Sequence, residues 1–132
     1  MTTVEEGVIV VGIVTGRRRV LLVDDDPLAR LAVDRQLDVL GYDVISVNNG
    51  EEAIRVMEMG FPFELLLIDL RLPDLDGRAV AYAAMALVPA VRIVFMSGFV
   101  PGQRLNAPFL LKPFSTLALA WTLDVARYGV RN

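Results

Sequence analysis

Five residues of this chain have side chains that do chemistry and stand where apolar runs end: Asp24 and Asp25, Asp69, Ser97 and Lys112. A carboxylate at the rim of an apolar core is costly unless it is paired or bound to a metal. Three carboxylates drawn together repel by about 4 kcal/mol per close pair at a mid-range dielectric. A hard divalent cation offsets that cost, and Mg²⁺, which prefers oxygen ligands and retained waters, fits a set with no soft ligand. A carboxylate can also attack phosphorus and hold the group as an acyl phosphate. The transferring group spreads negative charge over three oxygens, so its catalysis is positioning plus neutralisation. One oxygen is met by Mg²⁺, one by the Lys112 ammonium, and one by the Ser97 hydroxyl with nearby backbone N–H groups. Asp69 is the nucleophile in this reading. Asp24 and Asp25 join it as metal ligands, and the Arg71 carbonyl, two residues further on, supplies another oxygen. Taken singly each residue has an ordinary role in a turn, a cap or solvent, so the reading rests on their convergence.

The elements that would bring them together follow from pattern. The apolar run 20–23 closes on Asp24-Asp25-Asp26, and Pro27 then takes a first helical position with Asp26 as N-cap. Ala29, Val33, Leu37 and Leu40 keep helical spacing until Gly41. A weaker strand over 43–47 precedes Asn49 and Glu52, which have capping-box spacing, and a helix to Gly60. Further strands are expected at 63–70, 91–96 and 109–111, and further helices at about 77–87 and 115–128, the last with Leu117, Trp121, Val125 and Tyr128 on one face. Continuous apolar strands alternating with amphipathic helices indicate an α/β fold, a doubly wound parallel sheet covered on both faces. Such sheets bind ligands beyond the carboxyl ends of their strands, and there Asp24, Asp25, Asp69, Ser97 and Lys112 all fall.

The totals narrow the chemistry. The chain has 132 residues, 55% of them hydrophobic, with net charge −3 and neither Cys nor His. That length suits one domain. Disulfides, thiolate chemistry, zinc sites and histidine acid-base catalysis are excluded. The mild acidity argues against nonspecific nucleic-acid binding. The apolar run 8–14 is too short to span a membrane and has Glu5 and Glu6 ahead of it, unlike a secretory signal. It reads instead as an extra strand, or a leader packed on the surface, in an N-terminal extension over 1–18, able to pair with a sheet edge of its own or a second copy. The protein is expected in the cytoplasm, off the membrane.

Four segments, VLLVDDDP at 20–27, LIDLRLPDLDG at 67–77, MSG at 96–98 and LKPF at 111–114, resemble the receiver domain of two-component response regulators. The resemblance covers about residues 19–128, within a domain running over 19–132. It implies a flavodoxin-like five-stranded sheet in the order 2-1-3-4-5, with Asp69 accepting a phosphoryl group from a sensor histidine kinase or phosphotransfer protein in the presence of Mg²⁺. It also implies that the domain assists its own phosphorylation and slow dephosphorylation and then switches the surface offered to a downstream protein partner, with homodimerisation open. Asp24 and Asp25 would hold the metal, Ser97 would be the switch hydroxyl, Lys112 would bind the phosphoryl group, and the Lys112-Pro113 bond would be cis. Phe109 falls at the family's mobile aromatic position. Arg71 and Phe99 fall where the family tunes phosphate lifetime, and their bulk implies restricted water access.

One departure stands out. Only fourteen residues, 98–111, separate Ser97 from Lys112, and Pro101, Gly102 and Pro108 are among them. A normal helix between the fourth and fifth strands does not fit, so it is shortened or missing. Stand-alone regulators and receivers of hybrid kinases tolerate that trimming better than DNA-binding regulators. The main alternative is a receiver-like interaction or dimerisation module that works without phosphorylation. A haloacid-dehalogenase-like phosphohydrolase would need a second Asp at the position of Arg71. An EF-hand at Asp74-Leu75-Asp76-Gly77 lacks its later ligands, and a dinucleotide site lacks its glycine-rich turn.

Overall fold

The computed structural model describes residues 17–129, so the run 8–14, expected as an extra strand, lies outside the described residues. In chain order the elements are β1 (Arg18–Val23), α1 (Pro27–Val39), β2 (Tyr42–Val47), α2 (Gly50–Glu58), β3 (Leu65–Asp69), α3 (Gly77–Leu87), β4 (Arg92–Ser97), β5 (Phe109–Leu111) and α4 (Thr116–Tyr128). The five strands form one parallel sheet in the order β2-β1-β3-β4-β5, as expected. β3 is buried along its whole length, which is why its sequence is an unbroken apolar run and not an alternating one.

Alternation along each strand sends side chains to two separate cores. Leu22, Leu65, Leu67, Val94 and Met96 pack with Val33 and Leu37 of α1 and Leu119 and Leu123 of α4. Leu21, Val23, Leu66, Ile68 and Phe95 face the other way, against Ala53 and Met57 of α2 and Val80 and Ala84 of α3. Each wholly buried Leu or Ile contributes about 1.5–3 kcal/mol through removal from water, so the two cores fix which residue of each strand comes last at the rim.

The helix starts are set by side-chain caps. The Asp26 carboxylate accepts from the N–H groups of Leu28 (3.0 Å) and Ala29 (3.4 Å), with Pro27 opening the helix. Asn49 accepts from Glu52 N–H at 2.8 Å, but the Glu52 carboxylate accepts from Asn48, one residue earlier than a capping box requires. The expected stripe on α4 is a different matter. Leu117, Trp121 and Tyr128 are exposed, and the buried positions are Leu119 and Leu123. Leu117 and Trp121, like Leu119 and Leu123, stand i, i+4 apart in a helix apolar nearly all round, and contact with the sheet selects Leu119 and Leu123.

Among the described residues no helix joins β4 to β5, and the crossover over 98–108 is irregular throughout. Proline lacks the N–H a helix needs and biases its predecessor away from helical geometry, and Pro101 and Pro108 leave too short a stretch between them.

The loop after β3 is tied to α2. Asp74 accepts from the first two N–H groups of that helix, Gly50 at 2.9 Å and Glu51 at 2.8 Å. Burial pushes the Asp74 carboxyl up, yet backbone hydrogen bonds from Gly50, Glu51, Asp74 and Leu75 outweigh it and hold its pKa below the ordinary 3.8. A depressed folded-state pKa adds stability above the unfolded value, lost as pH falls through the folded value. Asp74→Ala is therefore expected to cost about 1 kcal/mol at neutral pH, the size of a lost cap. In urea titrations the gap from wild type should close as pH drops below 3.8; a gap that persists into acid would show that the carboxylate is not its source.

Candidate functional site

The carboxyl ends of β1, β3, β4 and β5 bring the expected residues to one rim. Asp24 is wholly buried, and Asp69 and Ser97 are nearly so. Asp25 is exposed beside them, and oxygens of Asp24, Asp25 and Asp69 lie within 4.8 Å of one another. The Lys112 ammonium sits between two of the three, donating to Asp24 Oδ2 at 3.0 Å and Asp69 Oδ2 at 2.5 Å. Burial alone would depress the lysine, but its hydrogen bonds to Asp69 and Asp24 and their charges reverse the effect and raise its pKa above 10.5. Lys112 is therefore a cation at any physiological pH.

Backbone geometry aims each group. Asp24 Oδ1 accepts from Asp26 N–H at 3.0 Å, and Asp69 Oδ1 accepts from Arg71 N–H at 2.9 Å. The ladder continues beyond the strands: Leu70 N–H donates to Met96 O at 2.9 Å and Lys112 N–H to Ser97 O at 2.7 Å, which holds the ends of β3, β4 and β5 level. The Ser97 hydroxyl accepts from Phe99 N–H at 3.2 Å, leaving its own hydrogen available to donate. The Lys112-Pro113 peptide is cis, as the resemblance implied. Over the rim the Arg71 guanidinium stacks on the Phe99 ring, 4.7 Å from its centre. Phe109 opens β5 half-buried, on the side of the sheet that carries α2 and α3.

Two residues have positioning roles that the sequence did not reveal. Arg30 reaches back from the first turns of α1 and donates to the carbonyl of Asp24 at 2.8 Å, fixing the peptide that leads to Asp25. Gly77 N–H donates to Leu70 O at 2.9 Å, and a side chain there would have its Cβ 2.2 Å from the carbonyl oxygen of Asp69. The glycine in the turn is visible in sequence; the backbone it must approach is not.

A doubly wound parallel sheet whose rim gathers three carboxylates, an ammonium and a hydroxyl around one strand end defines a phosphoacceptor type of signalling domain. The family model for the response regulator receiver domain matches residues 20–120, and the chain belongs to that family. It is 32% identical over 105 residues, 75% of its length, to the "probable transcriptional regulator ycf27" of Porphyridium aerugineum, of which it spans 43%. It is 32% identical over 117 residues, 83% of its length, to "sensor kinase CckA" of Brucella abortus, of which it spans 12%. The chain thus spans less than half the length of either relative. Among solved structures, the receiver domain of sensor histidine kinase PA1611 from Pseudomonas aeruginosa, with a magnesium ion coordinated in its active-site cleft, superimposes with a TM-score of 0.75 at 27% identity, covering 84% of this chain and 98% of that one. No helix among the described residues is long and apolar enough to cross a membrane.

Proposed function

We propose that Asp69 takes a phosphoryl group from the phosphohistidine of a sensor kinase or phosphotransfer protein, in a reaction that needs Mg²⁺, and that the loaded domain offers an altered surface to a protein partner. The observation that carries this reading is the charge balance at the rim. Three carboxylates around a single ammonium leave two formal negative charges in a largely buried cluster of oxygen donors. One hard divalent cation matches that remainder in charge and ligand type.

Asp24, Asp25 and Asp69 would hold the ion, with the Arg71 carbonyl as a further oxygen. When bound, Mg²⁺ neutralises charge on the incoming phosphoryl oxygens. The protein's groups do the rest. Arg71 N–H fixes the Asp69 carboxylate so that one oxygen attacks phosphorus; the bond to the donor breaks and its electron pair leaves with the donor. Lys112, already charged and held beside Asp69, moves its hydrogen bonding to a phosphoryl oxygen, and Ser97 donates its free hydrogen to another. Phe109, paired with Phe95 two residues before Ser97 on β4, turns inward as that hydroxyl shifts.

Loading with beryllofluoride tests the reading. Wild type should bind it only with Mg²⁺ present, and Asp25→Asn should weaken Mg²⁺ binding at least tenfold by calorimetry. A protein that never loads with Mg²⁺ and either beryllofluoride or acetyl phosphate is an interaction module and not a phosphoacceptor.

The Arg71–Phe99 stack sets a second expectation. Arg71 lies two residues beyond Asp69 and Phe99 two beyond Ser97, so the stack would shield a phosphoryl group there; removing both side chains, Arg71→Ala with Phe99→Ala, should admit water and shorten the phosphoryl half-life about tenfold, a barrier change of roughly 1.4 kcal/mol. Following adduct decay by mass spectrometry checks it; an unchanged half-life would assign water exclusion elsewhere.

A further inference from the structure

Where the β4–β5 crossover lacks a helix the fold leaves a groove of about 610 Å³, between α3, β4, the crossover and the end of α4. A parallel sheet needs cover on both faces, and this strip has only partial cover, from Leu105 and Ala107. Half-buried Ile93 lies on its floor, and α3 presents Tyr82 and Met85 as its wall, 66% and 40% exposed. Apolar area of that kind is otherwise kept small on a soluble surface.

The charge around it is one-sided. Arg78, Arg92 and Arg104 line the groove and no carboxylate does, although the chain as a whole carries net charge −3. Arg78 is paired with Asp76, but neither Arg92 nor Arg104 has an ion-pair partner among the described residues. A segment added to the sheet edge is disfavoured, because β5 offers only three residues to pair with. A helix is the shape that a doubly wound sheet takes at this place, and one lying beside the eleven residues of α3 would run for about 16 Å.

We propose that this groove binds an acidic amphipathic helix of a partner protein. The apolar stripe of that helix lies on Tyr82, Met85 and Ile93 in the place of the absent crossover helix, and Asp or Glu residues flanking the stripe meet Arg92 and Arg104. The proposal goes beyond the phosphoacceptor reading and does not depend on it, because the groove is present with Asp69 unmodified.

The test uses unmodified protein and a displayed library of helical peptides of about 16 residues, roughly 24 Å long. Each has a fixed leucine stripe at i, i+3, i+4 and i+7, with flanking positions randomised among Asp, Glu, Lys, Arg and Ser. Selection should enrich Asp and Glu at the flanks. The selected peptides should lose at least tenfold in affinity on Arg92→Glu with Arg104→Glu and on Tyr82→Ser, and keep it on Arg92→Lys with Arg104→Lys. All these side chains are exposed, and far-ultraviolet circular dichroism confirms folding of each variant. No enrichment, enrichment of Lys and Arg, or binding indifferent to the double Glu substitution overturns the proposal. So does a dimer in sedimentation that the same substitution dissolves, which would give the groove to a second copy.

Discussion

Asp69→Ala should abolish the phosphoryl adduct that acetyl phosphate and Mg²⁺ are expected to form on the wild-type protein; this is the largest effect the proposed function predicts. Intact-mass spectrometry should show one phosphoryl group on wild type and none on the variant. Asp69 stands on the central strand with one oxygen fixed by Arg71 N–H and the other beside Lys112, so no neighbouring carboxylate inherits its geometry. Asp24 is wholly buried with both oxygens engaged, by Asp26 N–H and Lys112. The variant should fold, because removing one of three clustered carboxylates lowers their mutual repulsion and leaves the Asp24–Lys112 pair in place. Lys112→Gln should keep the nucleophile and lose its electrostatic aid, slowing loading by about 10²–10³, the usual cost of one preorganised donor. An adduct that survives in Asp69→Ala would place the nucleophile at another residue.

Gly77→Ala is the second large effect, and it acts through packing. The added Cβ would lie 2.2 Å from the Asp69 carbonyl oxygen and 2.9 Å from Leu70 Cα. Both obstacles are backbone, at the strand end that carries Asp69, so no side-chain rotation relieves them. Either the start of α3 moves away, breaking the Gly77–Leu70 hydrogen bond and its packing through Val80 and Ala84, or Asp69 is displaced from Lys112. Overpacking of a tight core ordinarily costs about 1–3 kcal/mol, and a clash with fixed backbone belongs at or above the top of that range. The urea midpoint should fall accordingly, and residual folded protein should load acetyl phosphate more slowly than wild type. A midpoint equal to that of wild type would show that the loop has room to shift.

The strand ends were legible in the sequence for a physical reason. A fully buried parallel strand is a continuous apolar run, so Asp24, Asp69 and Ser97 interrupt it visibly, and the topology follows once crossovers are taken as right-handed. Element boundaries shifted by a residue or two, as with β1, which begins at Arg18 because its first residues pair with Tyr42 and Asp43. The loss of the crossover helix was legible because proline and glycine act locally. What could not be read was set by distances across the fold. Arg30 on the Asp24 carbonyl, Asp74 on α2 and Gly77 against Asp69 join residues whose separation in the chain carries no pattern. The buried face of α4 was ambiguous for another reason, since a helix with apolar residues nearly all round is oriented only by what it packs against.

The two bonds from Asp74 to the opening amides of α2 make the loop beyond Asp69 a lever with its far end on the other flank of the molecule. Under the proposed phosphorylation, strain arising at Asp69 would be geared through that lever into α2 as well as through Ser97 and Phe109 toward β5. A domain with no fourth crossover helix to carry the news thereby retains a second mechanical outlet, one that points away from the trimmed edge.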